Sequence, residues 1–128
     1  MARKASRKPG EDSLERLTRL ALALPEGRAE SFGDHTSFKV RAEVFGYWLD
    51  NHHGDGRRAL VVKAAPGDGE FLLVSEPERF YRPAYLAKSG WVSLALDRGP
   101  IDWGRAEALL RASYRLQAPK TLARQVPP

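Results

Sequence analysis

The chain contains no cysteine. That excludes a disulfide framework, a thiolate nucleophile and any cysteine-ligated metal. Long apolar runs are also missing, and none approaches the ~20 residues that a membrane span needs. The opening stretch "MARKASRKPGEDS" is basic but has no apolar core, so it does not read as a secretory signal. These absences suit a cytoplasmic protein. Catalytic signatures are absent as well. There is no Gly-x-Ser-x-Gly elbow, and "PGDGE" lacks the Lys-Ser/Thr ending of a phosphate loop. His52 and His53 are adjacent in a polar turn. Neighbours on an extended chain point opposite ways, so they make a poor pair of metal ligands. His35 follows Asp34 in "GDH", which marks a turn. The expectation is a protein that is not an enzyme and uses no cofactor or metal.

Acidic residues are missing from residues 1–8, where Arg3, Lys4, Arg7 and Lys8 stand. The net charge is +5, and without those four cations 17 basic residues face 16 acidic ones. The excess charge therefore belongs to the N-terminal tail, and the body is nearly neutral. A basic tail can hold phosphates without reading sequence.

What is present is enough for one domain: 128 residues, 42% of them apolar. Residues 1–10 read as a disordered basic tail, 11–124 as a single domain and 125–128 as a C-terminal tail. Asp12 is placed to cap a first helix, with Glu15 completing a capping box. Leu14, Leu17, Leu20, Ala21 and Leu24 give that helix one apolar stripe, and Pro25 and Gly27 stop it. Strands follow. In "TSFKVRA", Phe38 and Val40 share one face, with Lys39 and Arg41 on the other. In "EVFGYWLD", Phe45, Tyr47 and Leu49 are expected on one face, with Val44 and Trp48 on the other. The Gly-containing loop "NHHGDGRR" joins this strand to "ALVVKA" as an antiparallel hairpin. Residues 68–80 are ambiguous: Phe71 to Val74 fit a short buried strand or a helical turn, and the flanking helix-start features favour short helical pieces. "WVSLALD" alternates, with Val92, Leu94 and Leu96 towards the core and Trp91 away from it. Asp102 caps a last helix whose inner stripe is expected at Trp103, Ala106, Leu109, Leu110, Ser113 and Leu116, with Tyr114 and Arg115 pinning it to the sheet edge. Pro119 ends it and the rest trails off. A helix, four or five antiparallel strands and a helix predict an α+β two-layer sandwich. Both terminal helices cover one sheet face, and the other face is open to water or a partner.

The segments "LPEGRAESF…HTSFKVRAEVFGYW", "ALVVKA", "FYRPAYLAKSGWVSLALD" and "LLRASYRLQAPKTLA" occur in an order that resembles the MmcQ/YjbR family of small bacterial proteins. The resemblance covers roughly residues 12–124. It implies a frataxin-like sandwich and DNA binding by likeness to a "double wing" domain, in which the exposed sheet face approaches the duplex. Lys63, Pro83, Tyr85, Gly90, Trp91, Ser113, Tyr114 and Lys120 fall on family positions. The chain departs where members show a Gly-Lys before the aromatic strand; here Ala42 and Glu43 stand. The frataxin likeness does not extend to iron, because the first helix follows Glu11, Asp12 and Glu15 with Arg16 and Arg19.

Two functions from different classes follow. The first is a non-catalytic, monomeric binder of double-stranded DNA. Its contacts are Arg3, Lys4, Arg7 and Lys8 in the tail, with Lys39, Arg41, Lys63, Arg82, Tyr85, Lys88 and Trp91 on the sheet side, a mixture of cations and rings that suits phosphates and bases. The second is a small-anion or peptide-interaction module with a cleft near Lys63, Tyr85 and Trp91. A continuous positive strip on the sheet marks the first, and a concave pocket with one lysine marks the second.

Overall fold

The computed structural model describes residues 11–51, 54–84 and 90–128. The chain runs α1 (Glu11–Leu22), β1 (Arg28–Phe32), β2 (His35–Val40), β3 (Glu43–Asp50), β4 (Arg58–Lys63), α2 (Asp68–Ser75), β5 (Phe80–Tyr81), β6 (Trp91–Ala95), α3 (Trp103–Gln117) and α4 (Lys120–Ala123). The strands form one antiparallel sheet in the order β1-β2-β3-β4-β6-β5. This is the expected α+β sandwich, with six strands rather than four or five. The extra one is the two-residue β5, too short for a periodicity to reveal.

α1 buries Leu17, Ala21 and Leu24 against the sheet, with Leu14 and Leu20 beside them, as the stripe predicted. Asp12 is already inside the first turn rather than preceding it. Behind the helix the backbone doubles back tightly. A Cβ on Gly27 would lie 2.0 Å from the carbonyl oxygen of Ala21, so no larger residue fits there.

The β2–β3 ladder is interrupted. Phe38 opposes Gly46 and Lys39 opposes Val44, which leaves Phe45 without a partner. This is a β-bulge, and it shifts the alternation by one. The expected faces are corrected accordingly. Phe45 joins Trp48 in the core beneath the helices, while Val44 joins Tyr47 and Leu49 on the opposite side. The bulge brings the Phe45 ring edge-on to Tyr114, with centroids 5.2 Å apart at 85°. A Cβ on the neighbouring Gly46 would come within 2.9 Å of Leu110 Cδ1, so α3 lies directly on this backbone.

β6 alternates as predicted. Val92, Leu94 and Leu96 enter the helix-side core, and Trp91 faces the other way. That other face is not the bare flank expected. Ala59 and Val61 are fully buried there and Trp91 retains only 8% of its exposure, with Val44, Tyr47, Leu49 and Tyr81 packed around them. The Trp91 and Tyr47 rings meet at 5.6 Å, and the Arg57 guanidinium lies 3.4 Å from the Tyr81 ring centroid. Large rings lying across small residues seal the strand backbone from water.

The ambiguous stretch is helical, as α2, followed by one turn closed by the Phe80 N–H donating to the Glu76 carbonyl at 3.0 Å. The Asp102 side chain caps α3 by accepting from the Arg105 N–H at 3.0 Å. The buried face of α3 is Ala106, Leu110, Ser113 and Tyr114, whereas Leu116 is 46% exposed. The expected stripe is therefore rotated, because Tyr114 takes the inward position and its hydroxyl donates to the Pro25 carbonyl at 2.6 Å. Beyond Pro119 the chain does not trail off. α4 follows, and Leu122 and Val126 are buried in the core. Arg115 does not pin the sheet edge. Its Nη1 donates to the carbonyls of Ala123, at 3.1 Å, and Val126, clasping the C-terminal segment to α3.

Candidate functional site

The expected contact residues separate into three groups. Arg3, Lys4, Arg7, Lys8, Tyr85 and Lys88 lie outside the described residues, as do the N-terminal tail as a whole and His52 and His53. A second group consists of cations already engaged with carboxylates. Lys39 Nζ on β2 sits 2.8 Å from Glu30 Oε1, across the ladder on β1, and Arg28 Nε lies 3.5 Å from the other oxygen. The hydrogen bond from Lys39 holds the Glu30 carboxyl below its usual range. Arg41 is not on the face of β2. It occupies the turn into β3 with φ 56°, where its Nε and Nη2 fork onto Glu26 at 2.7 and 3.0 Å. That fork holds the Glu26 carboxyl low as well. Arg82, just past β5, places Nη1 2.9 Å from Glu70 Oε1.

The third group is Lys63 and Trp91. They are register partners on β4 and β6, so the structure brings them side by side. The Lys63 N–H donates to the buried Ser113 hydroxyl at 2.9 Å, which ties the end of β4 to α3. Among the described residues the Lys63 ammonium has no carboxylate partner. The charge inventory agrees. Of 21 lysines and arginines, four lie in residues 1–10 and one is Lys88; the remaining 16 face 16 acidic residues. The described body is formally neutral.

A concavity of about 760 Å³ opens on the helix side of the sheet instead. Phe71 and Leu72 of α2 form one wall and Ala108, Ala112 and Leu116 of α3 the other, with the end of β4 at Lys63 and Ala64 also along its lining. Trp91 is not part of it. Sequence reasoning missed this groove, although one signal was present. "EFLLV" places four apolar residues in a row on a single short helix, and no helix can turn four consecutive residues to one core. Phe71 is accordingly 68% exposed and Val74 79%.

No helix of the described residues is long and apolar enough to cross a membrane. No curated protein matches the chain. Among solved structures it is similar to Deinococcus radiodurans protein DR2400, which carries a DUF419 domain. The two are 26% identical with a TM-score of 0.67, over 80% of this chain and 76% of that one. The family model described as YjbR matches residues 22–116. That span runs from the end of α1 through the whole sheet to the last turn of α3, and on it the chain belongs to the YjbR family.

Proposed function

We propose that this protein is a non-catalytic nucleic-acid-binding protein whose affinity comes chiefly from its N-terminal tail. The observation that carries this is the segregation of charge. Arg3, Lys4, Arg7 and Lys8 are unopposed within residues 1–8, while the described body balances 16 cations with 16 anions. Phosphate contacts of this kind give affinity and salt dependence without sequence readout. The sheet-side cations Lys39, Arg41 and Arg82 contribute little, because each is held 2.7–2.9 Å from a carboxylate that a phosphate must displace. Of the expected sheet-side cations among the described residues, Lys63 is the one without a carboxylate partner.

Fluorescence anisotropy of a labelled duplex, titrated between 50 and 300 mM salt, tests the proposal. Deleting residues 1–8 removes four phosphate-neutralising charges, so the slope of log affinity on log salt falls by about 3–4. The substitutions Lys39→Gln and Arg82→Gln leave that slope within about one unit. A truncated chain with the full-length slope overturns the assignment to the tail, and absence of duplex binding at 50 mM salt overturns DNA binding itself.

A further inference from the structure

We propose that the outer edge of β1 is a self-association surface, on which two copies of this chain pair β1 to β1 about a two-fold axis and continue the sheet across a dimer. This replaces the monomer expected from the sequence. β1 stands at the end of the strand order, and its strand neighbour is β2. It contains no proline, and Arg28, Ser31 and Phe32 are exposed along it.

The ladder fixes which backbone groups the edge offers. The Asp50 N–H donates to the Asp34 carbonyl at 3.0 Å, so even-numbered residues at the start of β2 turn their backbone groups towards β3. His35, Ser37 and Lys39 turn theirs the other way, onto Phe32, Glu30 and Arg28 of β1. Ala29 and Ser31 therefore aim N–H and C=O out of the sheet, and no described residue takes them. An edge of this kind is a template for a further strand.

Charge selects a second copy of the chain as that strand. Arg28 and Glu30 lie two residues apart on one face. An antiparallel copy centred on Ala29 sets Arg28 of each chain opposite Glu30 of the other, and it puts the two Ala29 backbones in mutual hydrogen bonds. Neighbouring registers lose this match. Centring on Glu30 sets two carboxylates face to face, and centring on Ser31 sets Glu30 against Phe32. The two side chains are 44% and 37% exposed, so both can reach across. Glu30 keeps Oε1 on Lys39 at 2.8 Å and offers Oε2, now 3.5 Å from its own Arg28 Nε. Arg28 Nη2 stays on the Arg41 carbonyl at 2.6 Å.

An apolar contact lies above the same axis. Arg16 covers the Trp103 ring at 4.6 Å, so that flank of α1 faces α3. Leu22 is six residues on, about 240° further round the helix, and so on the flank turned away from α3. Gly27 lies directly against Ala21, which sets the end of α1 beside the start of β1. Leu22 is 53% exposed there. Pairing through Ala29 brings the two Leu22 side chains towards each other.

Sedimentation velocity of the full chain between about 5 and 500 µM tests the proposal, with a monomer–dimer equilibrium expected. Arg28→Glu and Glu30→Arg each weaken it about tenfold, because each makes like charges meet twice across the seam. An equimolar mixture of the two variants associates to within about threefold of the native strength, since one chain then brings two carboxylates and the other two cations. Leu22→Lys, at an exposed position, weakens the dimer about tenfold as well. Circular dichroism checks that the variants fold, and Leu22→Lys carries the test if either charge variant does not. A chain that is monomeric over the whole range overturns the proposal. So does a dimer that all three substitutions leave at native strength, or a mixture of folded charge variants that associates no better than either alone.

Discussion

The hydroxyl oxygen of Tyr114 ties distant parts of the fold together. The residue is fully buried, its ring stands edge-on to Phe45, and its O–H donates to the Pro25 carbonyl at 2.6 Å. This bond joins α3 to the turn between α1 and β1, 89 residues away in sequence. Tyr114→Phe preserves the ring and its packing while removing the donor and leaving the Pro25 oxygen short of a partner. A neutral hydrogen bond contributes about 0.5–1.5 kcal/mol net, and an orphaned buried acceptor costs about 1–3 kcal/mol, so a loss of about 1–2 kcal/mol is expected. With an unfolding entropy of ~2.1 cal/mol/K per residue, a chain of 128 residues loses about 4–7 °C in Tm. Urea unfolding followed by far-UV circular dichroism measures the free energy directly. The m-value is expected to stay constant, because the buried surface hardly changes. Tyr114→Ala, which also empties the ring's volume, falls by about 3–5 kcal/mol. Burial pushes the Tyr114 hydroxyl above its ordinary value of 10.0. Its contribution is therefore present below pH 10 and lost as pH rises through the raised value. A Tyr114→Phe variant within ~0.3 kcal/mol of the native protein, at equal m, would refute the idea of a buried strut between α3 and the first turn.

Other outcomes follow from the same packing. Gly27→Ala places a methyl 2.0 Å from a backbone oxygen that cannot swing away, and it costs about 1–3 kcal/mol or more; a native melting curve for this variant contradicts the tight return of the chain after α1. Glu76 is held below its ordinary value of 4.5, chiefly by its hydrogen bond to Arg105, and Glu26 and Glu30 are held low by Arg41 and Lys39. Since all three folded values are depressed, the stability they supply is present above pH 4.5 and lost as pH falls through the lowered values. Chemical denaturation between pH 7 and 3 reads this decline. Glu76→Gln flattens part of it, and an unchanged acid limb in that variant removes the Glu76–Arg105 pair from the account.

Much of the architecture was legible in the residues because local pattern and tertiary demand coincide there. The stripe Leu17, Ala21, Leu24 lies on the buried face of α1, the cap at Asp102 starts α3, and Val92, Leu94 and Leu96 enter the core. Each is a single element meeting a single surface, so 3.6- and 2-residue periods suffice. Phe45 and Leu116 were misplaced for the opposite reason. The bulge that turns Phe45 inward is a property of two strands paired together, and the rotation that exposes Leu116 is set by a hydroxyl reaching Pro25 from another helix. Neither partner is visible in the window being read.

By composition and local pattern, the chain's residues determined the two-layer class, the absence of thiol chemistry and the concentration of net positive charge in residues 3–8. Only tertiary structure decided where those patterns come to rest. It set Lys39, Arg41 and Arg82 against Glu30, Glu26 and Glu70, laid Trp91 over Ala59 and Val61, and left the apolar groove beside Lys63. Periodicity reports which side of its own element a residue occupies. A charge's partner and a cleft's walls are supplied by elements distant in sequence, and their meeting exists only once the chain has packed.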